Sequence, residues 1–173
     1  GLFNWSFVYD SAGRILEWTD ADGFRRVYDY DTLGRLVRVE VEDHPEQSFT
    51  FRYDTDGNLI EQQDDLGRGA LYNYNAQGQV ISRLDTFTAD TTSYAYTPEG
   101  LLETVISPGG NTTTYIYDDD IDPTRLTGII EPTGSQHRFE WVDENNLLVY
   151  TDPLGAQTRY RYDGNGLLWR IED

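Results

Sequence analysis

The side chains of this 173-residue chain that could do chemistry are mostly carboxylates: 31 Asp+Glu stand against 13 Lys+Arg, for a formal charge of −18, with two histidines and no cysteine. Clustered carboxylates are the ligands hard cations take, and two stretches qualify by composition: Asp54-Thr55-Asp56-Gly57-Asn58 and the run from Asp118 to Asp122. The first lacks the remaining ligands and the terminal Glu of an EF-hand loop, and the second reads equally as a hydrated bulge. No metal is assigned to either. His44 and His137 both fall near expected turns, without metal-ligand spacing or a cysteine partner, and read as surface residues. No Gly-x-Ser-x-Gly elbow occurs. Carboxylates are abundant enough that some pair must lie at glycosidase distance by accident, so abundance identifies no acid/base couple. The sequence thus assigns no catalytic residue and no cofactor, and the chain reads as a non-enzyme whose acidity is a solvated face.

The same balance of charge argues against a general nucleic-acid binder, which neutralises phosphates with cations, and against docking on an anionic membrane. No apolar run approaches the roughly 20 residues of a spanning helix, and no basic segment followed by an apolar one opens the chain as a signal peptide would. Absence of cysteine leaves the redox compartment undecided. Methionine is absent too, and a stretch opening at Gly1 is read as an excised, processed or engineered piece of a longer chain, although removal of an initiator Met would look the same.

What must position all these turns and charges is an aromatic framework of 13 Tyr, 7 Phe and 4 Trp, in a chain too polar for a thick conventional core. Disordered segments are depleted in such residues. An aromatic, any residue, then a second aromatic recurs eight times, the second member falling at Tyr9, Tyr30, Tyr53, Tyr74, Tyr96, Tyr117, Trp141 and Tyr162, at steps of 21 to 24 residues. Asp follows directly at Asp10, Asp31, Asp54, Asp118 and Asp163, with Asn75 and Thr97 in copies four and five and Val142 in copy seven. Four residues after the second aromatic come Gly13, Gly34, Gly57, Gly78, Gly100 and Gly166, with Asn145 in copy seven; these are residues that tolerate positive φ. An aliphatic restarts the chain two residues later, at Ile15, Leu36, Leu59, Val80, Leu102, Leu126, Leu147 and Leu168, once three extra residues in copy six are allowed for.

A second turn signal lies about ten residues further on in most copies, as in Asp20-Ala21-Asp22-Gly23, Asp64-Asp65-Leu66-Gly67 and Asp152-Pro153-Leu154-Gly155. The unit is strand, turn, strand, turn, and period-two aromatics put both rings of a copy on one face. No stretch keeps a 3.6-residue apolar period, so helix is excluded almost everywhere. Asp43-His44-Pro45-Glu46 and the glycine-free Thr86 to Thr91 depart from the second-turn pattern and are expected to be longer, more mobile loops.

On Tyr9-Asp10-Ser11-Ala12-Gly13-Arg14-Ile15, Tyr30-Asp31-Thr32-Leu33-Gly34-Arg35-Leu36, Tyr53-Asp54-Thr55-Asp56-Gly57-Asn58-Leu59 and Tyr162-Asp163-Gly164-Asn165-Gly166-Leu167-Leu168, the chain resembles the Rhs/YD-repeat family, whose signature is Tyr-Asp-x-x-Gly-Arg-Leu. The physical reading agrees: Asp accepts bonds from turn N–H groups, Gly lets the chain reverse, and the aliphatic restarts a strand. A hairpin of this size cannot bury its apolar face alone, so neighbours must pair edge to edge. The expected fold is all-β: one array over 1–173 of about eight tandem β-hairpin repeats in a curved, continuous antiparallel sheet. About 16 strands at about 4.8 Å would make a sheet roughly 70 Å wide.

The resemblance implies that many such repeats spiral into a hollow β-shell enclosing a C-terminal toxin or effector domain. The partners are then neighbouring repeats of a longer parent chain and an enclosed domain. The expected location is that of a secreted or delivered protein, and the lack of cysteine leans towards a bacterial one over an extracellular animal relative. Some family members cut themselves at an Asp-Pro-x-Gly region; here Asp152-Pro153-Leu154-Gly155 precedes another ordinary repeat and reads as a turn. A different reading stays open: a carbohydrate- or cell-surface-binding module whose aromatic ladders stack on sugars. Exposed sheet edges lead us to expect that the isolated piece self-associates.

Overall fold

The computed structural model describes residues 5–141 and 146–173. Among them are sixteen strands and a single 3₁₀ turn, Pro45–Gln47, and no α-helix. The chain divides into two compact units, Gly1–Thr91 and Thr92–Asp173.

The first unit holds β1 (Ser6–Tyr9), β2 (Ile15–Thr19), β3 (Arg25–Tyr30), β4 (Leu36–Val41), β5 (Phe49–Tyr53), β6 (Leu59–Asp64), β7 (Gly69–Tyr74) and β8 (Val80–Asp85). Each pairs antiparallel with the next in chain order. The second unit is built from β9 (Thr91–Tyr96), β10 (Leu102–Ile106), β11 (Thr112–Ile116), β12 (Gly128–Ile130), β13 (Gln136–Trp141), β14 (Leu147–Thr151), β15 (Gln157–Tyr162) and β16 (Leu168–Glu172), again antiparallel and in chain order. The aromatic pairs occupy the odd-numbered strands, and the alternation of a strand is visible in their burial. Tyr28 and Tyr30 are half-buried while Asp29 between them is exposed, and the same holds for Phe51-Arg52-Tyr53, Tyr72-Asn73-Tyr74 and Phe139-Glu140-Trp141.

Both turns of a repeat are closed the same way. The N–H of Asp10 donates to the Arg14 carbonyl and that of Gly13 to the Asp10 carbonyl, at 2.9 and 3.1 Å; at the second turn Asp20, Gly23 and Phe24 repeat the pattern at 3.0 and 3.1 Å. The closing glycine has φ near +80° at Gly13 and Gly23, where an L side chain would be strained. Asn145, which stands at this position in copy seven, and Val142 lie outside the described residues.

Among the described residues seven hairpins contain a β-bulge at the second aromatic. Phe7 lies opposite Trp18 and Val8 opposite Glu17, but Tyr9 lies opposite Ile15, so Leu16 is an extra residue. Without that slip Ile15 and Trp18 would be on opposite faces of β2; with it, both lie on the aromatic face. The extra residue recurs seven positions after the second aromatic, at Val37, Ile60, Ile81, Glu103, Leu148 and Trp169.

Few side chains are sealed from water. Val41, Ala70 and Val149 are the buried apolar residues among those described, and Ser48, Asp64 and Arg125 the buried polar ones. Cohesion therefore rests on cross-strand pairs within the face, such as Phe139 against Tyr150, ring centroids 5.5 Å apart, and Arg26 stacked 4.4 Å above Trp18.

The two irregular loops are longer than their counterparts and are tied down. Ser48, 1% exposed, accepts the N–H of Val41 on its hydroxyl at 2.8 Å, and that hydroxyl lies 3.2 Å from the His44 carbonyl, its acceptor. The His44 ring packs on Phe24 at 5.3 Å. In the other loop Asp85 accepts the N–H groups of Phe87 and Thr88, and the Thr86 hydroxyl donates to the Gly67 carbonyl at 2.9 Å. A serine, an Asp and a threonine supply these local bonds in place of glycine. The reversal still demands a left-handed residue, and Ala89 takes φ of 60°. Ala89→Gly is expected to raise stability by roughly 1 kcal/mol, the strain of an alanine there outweighing the added freedom of the unfolded chain; urea unfolding at neutral pH measures it, and a lower midpoint would contradict it.

Candidate functional site

The signature residues meet at the junction between successive repeats. Asp10 shows the turn half. Its Oδ1 accepts the N–H groups of Ala12 and Arg14 at 2.8 and 2.9 Å, and its Oδ2 accepts the Arg14 guanidinium Nε at 2.7 Å. Asp31 does the same with Leu33 and Arg35, and Asp54 with Asp56, Asn58 and the Asn58 amide. Asn75 caps its turn through Oδ1, Asp163 caps the eighth, and Thr97 accepts the Leu101 N–H at 3.3 Å. At the second turns Asp20, Asp64 and Asp152 act alike.

The donors hold the carboxyls of Asp10, Asp31, Asp54 and Asp64 below the usual range. For Asp10 and Asp31 the largest cause is the backbone N–H of Arg14 and Arg35 respectively, and for Asp54 it is the Asn58 amide. At Asp64 burial pushes upward, and the bonds from Arg68 and Leu66 outweigh it.

The second half of the junction is the tip of the second aromatic. The Tyr30 hydroxyl donates to the Ile15 carbonyl at 3.0 Å, Tyr53 to Leu36 at 2.9 Å, Tyr74 to Leu59 at 2.7 Å and Tyr117 to Leu102 at 3.0 Å. In copy seven the Trp141 indole N–H donates to the Leu126 carbonyl at 2.8 Å, so this departure from the signature keeps the bond. Each acceptor is the restart aliphatic of the preceding copy. In the first copies arginine adds a third tie: Arg14 stacks 4.6 Å over Tyr30, Arg35 stacks 4.6 Å over Tyr53, and Arg35 also reaches the Asp54 carbonyl at 3.3 Å. The Gly34 position is close enough to Arg14 that a Cβ there would lie 2.8 Å from its Nη1.

The sequence reading missed the hydroxyl's role, although a signal was present: Phe7, Phe51 and Phe139 occur as first aromatics, whereas every second aromatic is Tyr or Trp, a ring with a donor. Copy six is built differently from the expectation. Asp118 pairs with the Thr127 hydroxyl and does not cap the turn. Asp119 accepts the N–H groups of Ile121 and Asp122 at 2.9 Å, and Asp122 that of Thr124. The buried Arg125 lies 3.6 Å from both carboxylates. Of the carboxylates weighed as cation ligands, Asp54, Asp119 and Asp122 are thus turned toward N–H groups, the latter two also toward a guanidinium, and among the described residues no three His, Asp or Glu side chains converge as a metal cage.

His137 is half-buried in β13, not a bare surface residue. Its Nδ1 lies 2.7 Å from the Tyr150 hydroxyl and its Nε2 3.0 Å from a Glu131 oxygen. The depressions on the sheet are shallow; one of about 430 Å³ is lined by Phe49, Asp64, Arg68, Ala70, Tyr72 and Phe87.

A tandem hairpin array with this junction defines a repeat-wall class of protein, and the comparisons agree. The Teneurin YD-shell model matches residues 2–119, more than half of the chain, and the RHS repeat model matches 141–171. The chain belongs to the YD-shell family. No curated protein matches it in sequence. In structure it is similar to the crystal structure of TcdB2-TccC3-TEV, with TM-score 0.61 and 16% identity over 98% of this chain and 11% of that one. It is also similar to the Photorhabdus luminescens Tc holotoxin pore in a mutant form, with TM-score 0.57, 18% identity, and 98% and 11% coverage. For the crystal structure of TcdB2-TccC3 the values are 0.54, 14%, 99% and 12%. These likenesses concern the fold, and the chain spans about a ninth of each neighbour's length.

Two outcomes test the junction. Tyr53→Phe is expected to cost about 1 kcal/mol, as one net hydrogen bond does, and more than Tyr28→Phe, which removes a hydroxyl from a first aromatic; equal costs in urea unfolding would refute the clamp. The carboxyls of Asp10, Asp31, Asp54 and Asp64, lowered in the folded state, contribute stability that is present above the unfolded Asp value of about 4 and is lost as pH falls through the folded values. Asp31→Asn keeps an acceptor and removes one such titration, so its stability should fall less than that of the wild type between about pH 5 and pH 2. Parallel losses would show that Asp31 is not a contributor.

Proposed function

We propose that this chain is a wall segment: a single array of about eight YD hairpins over 1–173, forming part of a β-shell that encloses a C-terminal toxin or effector domain in a secreted or delivered bacterial protein. The observation that carries the reading is the junction itself, repeated with one geometry in both units and spent on backbone carbonyls and turn N–H groups. Tyr9, Asp10, Gly13 and their equivalents are, on this reading, structural residues, and the protein acts by containment. Membership of the YD-shell family and the fold shared with the Tc structures support it. No helix among the described residues is long and apolar enough to cross a membrane. The partners are further repeats on either side and the enclosed domain.

Limited proteolysis of the longer chain that carries this segment tests the proposal. The sequence following the repeat array should resist cleavage while the array is folded and become sensitive at the denaturant concentration that unfolds it. Cleavage at equal rates before and after unfolding would overturn containment. If that result came with glycan binding that Tyr72→Ala abolishes, the aromatic-platform reading would replace it.

A further inference from the structure

Three side chains of the second unit depart from the repeat, and they converge. At the head of the second turn Asp20, Asp64 and Asp152 cap their own N–H groups, whereas Glu131 reaches away from its turn to Nε2 of His137, at 3.0 Å. That turn closes without the carboxylate: the Glu131 N–H donates to the Ser135 carbonyl and the Gly134 N–H to the Glu131 carbonyl, both at 2.8 Å. His137 stands two residues before a first aromatic, where no other copy has a histidine. Tyr150 stands nine residues after a second aromatic, where no other copy has a tyrosine. The other repeats form without these three, so the wall itself does not require them.

Together they make one hydrogen-bonded chain from Glu131 through His137 to the Tyr150 hydroxyl, which lies 2.7 Å from Nδ1. A carboxylate only accepts, so Nε2 carries the imidazole proton and Nδ1 presents its lone pair to the phenol. The His137 and Tyr150 rings are nearly parallel, at 14° with centroids 5.9 Å apart, and Phe139 packs on Tyr150 from the same strand as His137. The clamp tyrosines Tyr30, Tyr53, Tyr74 and Tyr117 donate to backbone carbonyls, which take up no proton in neutral water; Tyr150 faces a base. Tyr150 is half-buried, and the side chains of His137 and Glu131 are 22% and 45% exposed, so the cluster opens to solvent.

We propose that Tyr150 is a covalent modification site: a nucleophilic phenol, with His137 as its base and Glu131 as the positioning residue, that takes the acyl group of a neutral activated acyl donor. A nucleophile, a base within hydrogen-bond reach and a third group orienting the base are the arrangement that activates a hydroxyl. The phenol oxygen bonds to the acyl carbon while its proton passes to His137 Nδ1, and the Glu131 carboxylate stabilises the imidazolium so formed. The bond between acyl carbon and leaving group breaks, and the leaving group departs with that electron pair and collects the proton from Nδ1. The product is an aryl ester at Tyr150, with His137 back in its starting tautomer. Charge selects the donor class. The chain carries −18, and the arginines of β13 and β15, the strands flanking Tyr150, alternate to the opposite face, so an anionic phosphoryl donor meets carboxylate without a compensating arginine from either strand. Containment makes no use of this group, and the two readings stand or fall separately.

Acetylation of the chain by N-acetylimidazole, followed residue by residue with peptide mass spectrometry, decides it. Tyr150 should react at least about tenfold faster than Tyr72 and Tyr94, which are half-buried as Tyr150 is but bond no histidine. His137→Phe keeps a ring beside Tyr150 and removes the base, and should bring Tyr150 down to the rate of those two. Glu131→Gln keeps an acceptor for the Nε2 proton and removes the charge; it should slow Tyr150 severalfold while the urea midpoint stays unchanged, a separation that a merely structural role would not produce. Should His137→Phe fail to fold, Glu131→Gln decides alone. Tyr150 reacting no faster than Tyr72 and Tyr94, or at an unchanged rate in either variant, would overturn the proposal.

Discussion

A donor at the tip of an aromatic ring, reaching back to the backbone carbonyl of the preceding repeat, is the interaction on which this architecture depends. A two-stranded hairpin is marginal in water, and few side chains here are sealed from solvent. Each repeat must therefore be held by its neighbour. Tyrosine and tryptophan suit the task because one end of the ring packs against apolar side chains while the other satisfies a carbonyl. That the indole of Trp141 takes the place of a phenol shows that the requirement is for a ring with a donor.

Turn chemistry supplies the rest of the order. One carboxylate closes two N–H bonds and, where arginine follows, a charge-assisted third. Arginine then carries the tie into the next copy by stacking on its tyrosine. In copy six, where three extra residues displace this geometry, Asp119 and Asp122 provide caps within the insertion and Arg125 is drawn in between them. Much of the chain's acidity is thus committed to turns as well as to a solvated face.

Most of the architecture was legible because it is local. Repeat spacing, strand polarity and turn positions follow from period-two aromatics and from Gly at fixed distance, for instance Tyr30 to Gly34 to Leu36. The junction was legible only in part: the cap at Asp31 follows from residue type and spacing, but the bond from Tyr53 to Leu36 joins groups 17 residues apart. The histidine reading missed the partners of both residues: His44 is half-buried with its ring on Phe24, and the partners of His137, Glu131 and Tyr150, lie on different segments.

Taken alone, the order of residues determined that the chain is all-β, that it repeats eight times, and that the two aromatics of a copy share a face, since these depend on alternation and on backbone freedom at single positions. Tertiary structure decided which atoms meet across strands. It placed the bulge at Leu16 and its equivalents, buried Ser48 in a loop that reads as polar, and left room only for glycine at Gly69, where a Cβ would stand 1.9 Å from the Gln62 carbonyl oxygen. Those outcomes depend on register, and a slip of one residue reverses every face, so they are set by the fit of neighbouring hairpins and not by any one segment.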